Sequence, residues 1–528
     1  MTAAANESHE SPESSAKTTA STANHDDTRA PMPLIFERHS PGAVGVDLPA
    51  LDVPESPLPP ASMLSDHPLP LPEVGQLDIV RHYTHLAQRS FSVDANFYPL
   101  GSCTMKYNPR INEAAAAMPA FTGLHPLQRD DDVQGALRVL YDVSTWLAEI
   151  AGLDAVSLQP AAGAHGEYAA LKVIRAWFND PQGGNAPQRN KVIAPDTAHG
   201  TNPASCAMCG AGVVTLKSKQ GKVDLDALRE LVDDQTAALM ITNPNTAGLF
   251  DGQIGDVADI LHDAGALLYL DGANMNAIVG VSRPGDFGVD VMHYNTHKTF
   301  STPHGCGGPG AGPIAVRDFL EPYLPTPTVR RDPIDNPAAG AHPWRYHLEH
   351  DRPKTIGQVR SFWGQFGVLL RCWTYLRACG PVGLRNVGET AVLNANYLAA
   401  RLHEHYETPY FNPAEGRYCA HEFVTVPRRL LDQGVTLIDL VKRMIDYDIH
   451  PPTMHWPVHD CLMIEPTETE SKATLDRFVD VLLKIADEVA NDGDTVRSAP
   501  HHATLRRLDE VAAARSPVLT YDGSSSRS

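Results

Sequence analysis

Residues 267–298 read "LLYLDGANMNAIVGVSRPGDFGVDVMHYNTHK". Two short apolar runs, LLYL and VDVMHY, each give way to polar residues. Asp271 follows the first; Asn295, Thr296, His297 and Lys298 follow the second. A continuous apolar run closed by glycine or polar residues suits a strand buried on both faces. In open α/β sheets, ligands gather beyond the carboxyl ends of the strands. An acid and a lysine at successive strand ends therefore predict a mainly parallel sheet and the position of its site.

The flanking sequence continues the pattern. AVSL (155–158), KVIA (191–194), GVVTL (212–216) and AALMIT (237–242) read as further short buried strands. Between some of them lie helical repeats: Val133, Leu137, Leu140, Val143 and Leu147, closed by Gly152, and Ile254, Val257 and Leu261 in IGDVADILHDAG. Repeated alternation implies an α/β domain with helices on both faces of the sheet.

The large domain is expected at 95–325. Before it lie a polar, disordered tail at 1–30 and a Pro-rich extended arm at 31–94. A Pro-rich interdomain segment is expected at 326–356, then a smaller α+β domain at 357–495 and a polar tail at 496–528. The small domain reads as a long helix over 357–380, strands EFVTV and CLMIE, and helices LIDLVKRMI and ATLDRFVDVLLKIADEVA.

Bulk properties narrow the function. A formal net charge of −20 over 528 residues disfavours nucleic acid as a partner. No apolar run approaches the ~18–20 residues that span a bilayer, so no membrane partner is expected. Glu7, Glu10 and Glu13 do not suit an acid-poor transit peptide. Eight scattered cysteines fit a reducing, cytoplasmic setting.

The remaining strand ends carry chemistry as well. LMITNPNTAG places Asn243 and Thr246 after a strand. VSLQPAAGAHGEYAAL runs from strand through a small-residue turn into a helix carrying Tyr168, Leu171, Ile174 and Phe178 on one stripe. Backbone N–H groups of Ala162, Gly163 and Ala164 at that helix start form an anion seat. Singly each feature is ordinary, since an Asp after a strand is most often a turn former. Together they fit pyridoxal phosphate. That cofactor needs a lysine for its Schiff base (Lys298), a carboxylate at its pyridine nitrogen (Asp271), an imidazole or aromatic face on its ring (His165) and a phosphate seat. Thr296 or a neighbouring hydroxyl would assist the phosphate, with His297 adjoining. Asn243 or Thr246 would reach the ring oxygen.

Other features are set aside. Cys206 and Cys209 have zinc-like spacing but no second pair, so no metal is expected. His342, His347 and His350 read as a surface cluster. GCGGPGAG (305–312) lacks the Lys-Ser/Thr ending of a nucleotide loop.

Longer motifs carry a family resemblance. FYPLGSCTMKYNPR, PAAGAHGEYAAL, AHGTNPAS, TNPNTAGLFD, YLDGANMNAIVG, NTHKTFSTPHGCGGPGAGP, DRPKTIGQVRSFWGQFGVLLR and CLMIEPTETESKATLDRFVD resemble, in order from about residue 70 to 490, the glycine cleavage system P-protein. Within that family they are most similar to the cofactor-bearing second subunit of the split bacterial form. The resemblance implies the fold-type-I architecture of pyridoxal-phosphate-dependent transferases. It also implies decarboxylation of glycine, transfer of the aminomethyl group to the lipoyl arm of an H-protein, and α2β2 assembly with a homologous subunit 1. On the same basis Ser102, Cys103 and Lys106 line the glycine pocket or its entrance. His199 handles protons or orients substrate, unless it only shapes a helix entry, and Thr201 and Asn202 are equally suited to capping. The alternative is another enzyme of this fold, an aminotransferase or a sulfur-transferring lyase. A cofactor-less scaffold is disfavoured by Lys298 itself.

Overall fold

The computed structural model describes residues 32–67, 69, 71–304, 310–335 and 342–520. The tail expected at 1–30 and the glycine run at 305–309 lie outside the described residues. The chain divides into two units, 1–87 with 501–528, and 88–500. In the first, short 3-10 turns at Ile35–Arg38 and Ala61–Met63 precede a helix, Gln76–Gln88, and a short helix forms at Glu510–Arg515.

The second unit holds a seven-stranded sheet. Its strands in chain order are β1 (Ala155–Ser157), β2 (Lys191–Pro195), β3 (Gly212–Leu216), β4 (Thr236–Thr242), β5 (Leu267–Gly272), β6 (Val291–Tyr294) and β7 (Ile314–Val316). The spatial order is β1-β7-β6-β5-β4-β2-β3. Only β7 runs against its neighbours, pairing antiparallel with both β1 and β6. The apolar runs become central strands because both faces are covered. Leu239 and Ile241, Leu268 and Leu270, and Met292 and Tyr294 enter one core. Ala238 and Met240, Leu267 and Tyr269, and Val291 enter the other. The two sets alternate along each strand, as a pleat requires. Each fully buried Leu, Ile or Met contributes roughly 1.5–3 kcal/mol.

Helices Gln134–Ala151, Gly163–Asn179 and Ile254–Asp263 form where the spacing predicts them, each within a few residues. The helix expected over 357–380 differs. It begins only at Phe366 and extends to Leu402, interrupted where Gly380 turns to φ 59° before Pro381. Residues before it cannot be helical, because Phe362 and Gly364 both have positive φ, and a Cβ on Gly364 would lie 2.5 Å from the Leu158 carbonyl. The Pro-rich stretch also holds a hairpin, Thr328–Pro333 against Trp344–Glu349, which composition does not reveal.

Towards the C-terminus, three short strands order as Phe423–Thr425, Leu462–Ile464 and Thr453–Met454, all antiparallel. They pack with helices Leu437–Ile445 and Lys472–Arg497 around Leu440, Met444, Phe478 and Ile485. Among the described residues, no helix is long and apolar enough to cross a membrane.

Candidate active site

The carboxyl ends of β4, β5 and β6 open into a cavity of about 250 Å³. Register brings Asp271 opposite Thr242 on one side and His293 on the other. Asp271 is 5 % exposed. Its Oδ2 accepts from Asn202 Nδ2 at 3.0 Å and its Oδ1 from the Ala273 N–H at 3.0 Å. His293 Nε2 lies 3.4 Å from Oδ1, close enough for charge to be felt but not aligned as a hydrogen bond. Burial alone would raise the Asp271 carboxyl. His293, Asn202, Lys298 and the Ala273 N–H outweigh it and hold the group below the ordinary carboxylate value.

Lys298 follows β6 after a tight turn, its N–H donating to the Asn295 carbonyl at 3.0 Å. Among the described residues its ammonium makes no hydrogen bond or ion pair, and it lines the cavity with Asn295, His297 and His304. The His297 and His304 rings meet edge to face, with centroids 5.1 Å apart. Burial, helped by His304, Lys298 and His293, pushes His297 down to about 3, so it is neutral at working pH. Burial lowers His304 as well.

Ala162, Gly163 and Ala164 form the adjoining wall. The first turn of helix Gly163–Asn179 carries N–H groups that have no acceptor within the helix. A Cβ on Gly163 would lie 2.0 Å from Asn295 Oδ1, so any larger residue would displace the Asn295 side chain. Glu167, one turn on, accepts from Thr201 Oγ1 at 2.8 Å and Ser205 Oγ at 2.7 Å. Thr201 in turn lies 2.9 Å from His199 Nδ1, so Glu167, Thr201 and His199 form a polar row along the cavity edge.

Of the residues singled out in the sequence, Ser102, Ala162, Gly163, Ala164, His199, Thr246, Asp271, His297 and Lys298 line one cavity. Others lie apart from its lining. His165 turns back so that its Nδ1 accepts from the Ala161 N–H at 3.1 Å. Asn243 uses its amide to bracket Asp251, at 2.9 and 3.3 Å. Thr296 is buried against Ala311, whose N–H it accepts at 3.2 Å. Cys103 is half-buried, its thiol pushed up by burial. Lys106 is buried, its ammonium donating to Glu468 (2.6 Å), the Thr299 carbonyl (2.7 Å) and Tyr375 (3.2 Å).

Several site residues carry no warning in the sequence. His293 sits inside an apolar strand, and Glu167 inside an amphipathic helix. His421 and Glu422 line the cavity from the C-terminal sheet. Glu465, beside the cavity but not in its lining, does carry a signal, since it follows strand Leu462–Ile464 much as Asp271 falls near the end of β5.

This geometry can be set beside known proteins. Residues 60–338 match the family model described as glycine cleavage system P-protein, and residues 387–505 match that described as glycine dehydrogenase, C-terminal domain. A relative from Halalkalibacterium halodurans, named "probable glycine dehydrogenase (decarboxylating) subunit 2", is 51% identical over 495 residues, 93% of this chain and 98% of the relative. The chain belongs to the glycine cleavage system P-protein family. A P-protein relative from Listeria monocytogenes serotype 4b with the same name is 50% identical over 502 residues, 93% of this chain and 98% of its own. The crystal structure of an inhibitor-bound glycine decarboxylase (P-protein) superposes with a TM-score of 0.65 at 22% identity, over 81% of this chain and 93% of that one. An Escherichia coli cysteine desulfurase superposes at 0.55 with 14% identity, over 77% and 98%. The architecture is the α/β fold type I of pyridoxal-phosphate-dependent transferases, as the resemblance implies.

Proposed function

We propose that this P-protein family member decarboxylates glycine with pyridoxal phosphate and passes the remaining aminomethyl group to the lipoyl arm of an H-protein. It would work in the cytoplasm with a homologous subunit 1 in an α2β2 assembly. One observation carries the reading: Lys298 and Asp271, from adjacent strand ends, face a single cavity beside a helix N-terminus.

The residues present fit the cofactor. Asn295 Oδ1, His297 Nδ1, Asn202 Oδ1 and Thr242 Oγ1 are buried polar atoms without a partner among the described residues, as a polar ligand's neighbours would be. When bound, pyridoxal phosphate supplies an electron sink for the bond to the departing carboxylate. Lys298 is the amine left free to hold the cofactor's aldehyde. Asp271, kept anionic by its neighbours, would hold a proton at the pyridine nitrogen. The N–H groups of Ala162–Ala164 would seat the phosphate, with Thr296 bracing the turn behind them. Thr246 lines the cavity and would reach the ring oxygen, while Asn243 fixes that loop through Asp251. His165 would act from beside the cavity and Ser102 and Cys103 from its rim, with Lys106 anchoring their loop. His297 and His304, neutral, place no extra positive charge beside Lys298. Among the described residues no arginine lines the cavity, so the substrate carboxylate meets no guanidinium that would stabilise it before it leaves.

The test is exchange of labelled bicarbonate into the carboxyl carbon of glycine. Exchange should require the partner subunit and a lipoylated carrier and vanish in Lys298→Ala. Turnover with a 2-oxo acid and no lipoyl acceptor would instead make the chain an aminotransferase.

A further inference from the structure

Two buried glutamates meet at the C-terminal side of the cavity, which Glu422 lines and Glu465 does not. Glu422 stands just before strand Phe423–Thr425 and Glu465 just after Leu462–Ile464. These strands pair with Phe423 opposite Ile464, so both acids reach the same place. Glu422 is 2 % exposed, Glu465 0 % and His421 2 %. One ligating atom from each of the three lies within 4.8 Å of the others.

Their hydrogen-bond donors are divided unequally. Glu465 accepts from the Thr104 N–H (3.0 Å), the Thr104 hydroxyl (2.7 Å) and Asn274 Nδ2 (2.9 Å). Glu422 accepts from the Ser102 N–H at 2.7 Å. Its other oxygen has His421 Nε2 at 3.8 Å, too far for a hydrogen bond. Both ring nitrogens of His421 are buried without a partner among the described residues. Two carboxylates this close, away from water, repel strongly, and one proton between them removes most of the repulsion. The donors decide where it goes. Three hold Glu465 as an anion, so the proton belongs on Glu422, which lines the cavity with Lys298.

We infer that Glu422 is a neutral carboxylic acid whose O–H points to the carboxylate of the amino-acid substrate, while Glu465 is the anion that clamps the loop at Thr104. The substrate's identity rests on the reading in the preceding subsection. A neutral donor orients a carboxylate without the ground-state ion pair of an arginine. Ionised, Glu422 would repel it. The charged and titratable groups around Glu422 are Glu465 on the neighbouring strand end, His421 beside it, Cys419 just before them, Cys103 on the clamped loop and Lys298 across the cavity. Burial and then Glu465 drive the Glu422 carboxyl well above the usual carboxylate range, against weaker pulls from the Ser102 N–H and Lys298.

Infrared difference spectroscopy of the assembled holoenzyme tests this. The carbonyl band of an un-ionised carboxyl should be present at neutral pH and lost in Glu422→Gln. In Glu465→Gln, where Glu422 loses its charged neighbour, the band should fade at lower pH than in the wild type. Glycine should shift the band, whereas methylamine, which lacks a carboxylate, should not. A band that survives in Glu422→Gln, or no band at all, overturns the inference and leaves the glycine reading intact. A band lost in Glu422→Gln but unmoved by glycine, while glycine still perturbs the cofactor's absorption, overturns the donor role. If glycine leaves that absorption unchanged, the glycine reading fails and takes the donor role with it.

Discussion

One wall of the cavity is built from parallel strand ends, the other from a loop clamped to a short antiparallel sheet, and they manage buried acids in opposite ways. Asp271 on the first wall is surrounded by His293, the Asn202 amide, the Ala273 N–H and Lys298, and stays anionic despite burial. Glu422 on the second has another carboxylate within 4.8 Å and one backbone donor, and burial pushes its carboxyl upward. Similar burial thus gives opposite charge states, because the partners and not the burial decide.

The contrast can be broken at several points. Lys298→Ala removes the amine the first wall exists to present. It should cut bicarbonate exchange by roughly 10⁴-fold or more, with an unchanged melting temperature by calorimetry. Substantial residual exchange would mean that this wall does not hold the cofactor. Lys106→Met leaves Glu468 buried without its cation. Urea unfolding should show a loss of about 3–5 kcal/mol, and wild-type stability would show that the loop does not depend on this pair. Asp271→Asn makes the first wall as uncharged as Glu422. It should keep bound cofactor, seen by absorbance, yet lose roughly 10²–10³-fold in rate; an unaltered rate would remove the charge of Asp271 from the mechanism.

The smallest effect concerns acid stability. His297 titrates at 6.5 when unperturbed and at about 3 in the fold. The unfolded chain therefore binds a proton there first as pH falls, and stability is lost between those values. His297→Asn should make the fall in thermal midpoint shallower across that window, while the other lowered imidazoles (His165, His304, His421, His450) and the ion-paired carboxylates keep part of the slope. An identical slope would mean that His297 protonates without penalty.

The two walls also differed in legibility. β5 and β6 sit in short, uninterrupted apolar runs closed by polar residues, so those residues read as strand-end chemistry, and the sheet follows from the same pattern. The C-terminal strands span two or three residues each: the runs EFVTV and CLMIE read as strands, whereas Thr453–Met454 is too short to register. Glu422 opens the run EFVTV, but nothing local encodes its burial. His165 was read from its motif, but the backbone turns its ring nitrogen onto the Ala161 N–H. Strand β7 was hidden because its three residues follow a glycine run.

Asn274 lies three residues beyond Asp271 and donates to both Thr104 Oγ1 (2.6 Å) and Glu465 (2.9 Å). The segment that fixes the anionic wall therefore also fastens the neutral one. On heating, the C-terminal sheet cannot peel away without loosening the Asp271 turn, so the two walls melt as one cooperative piece.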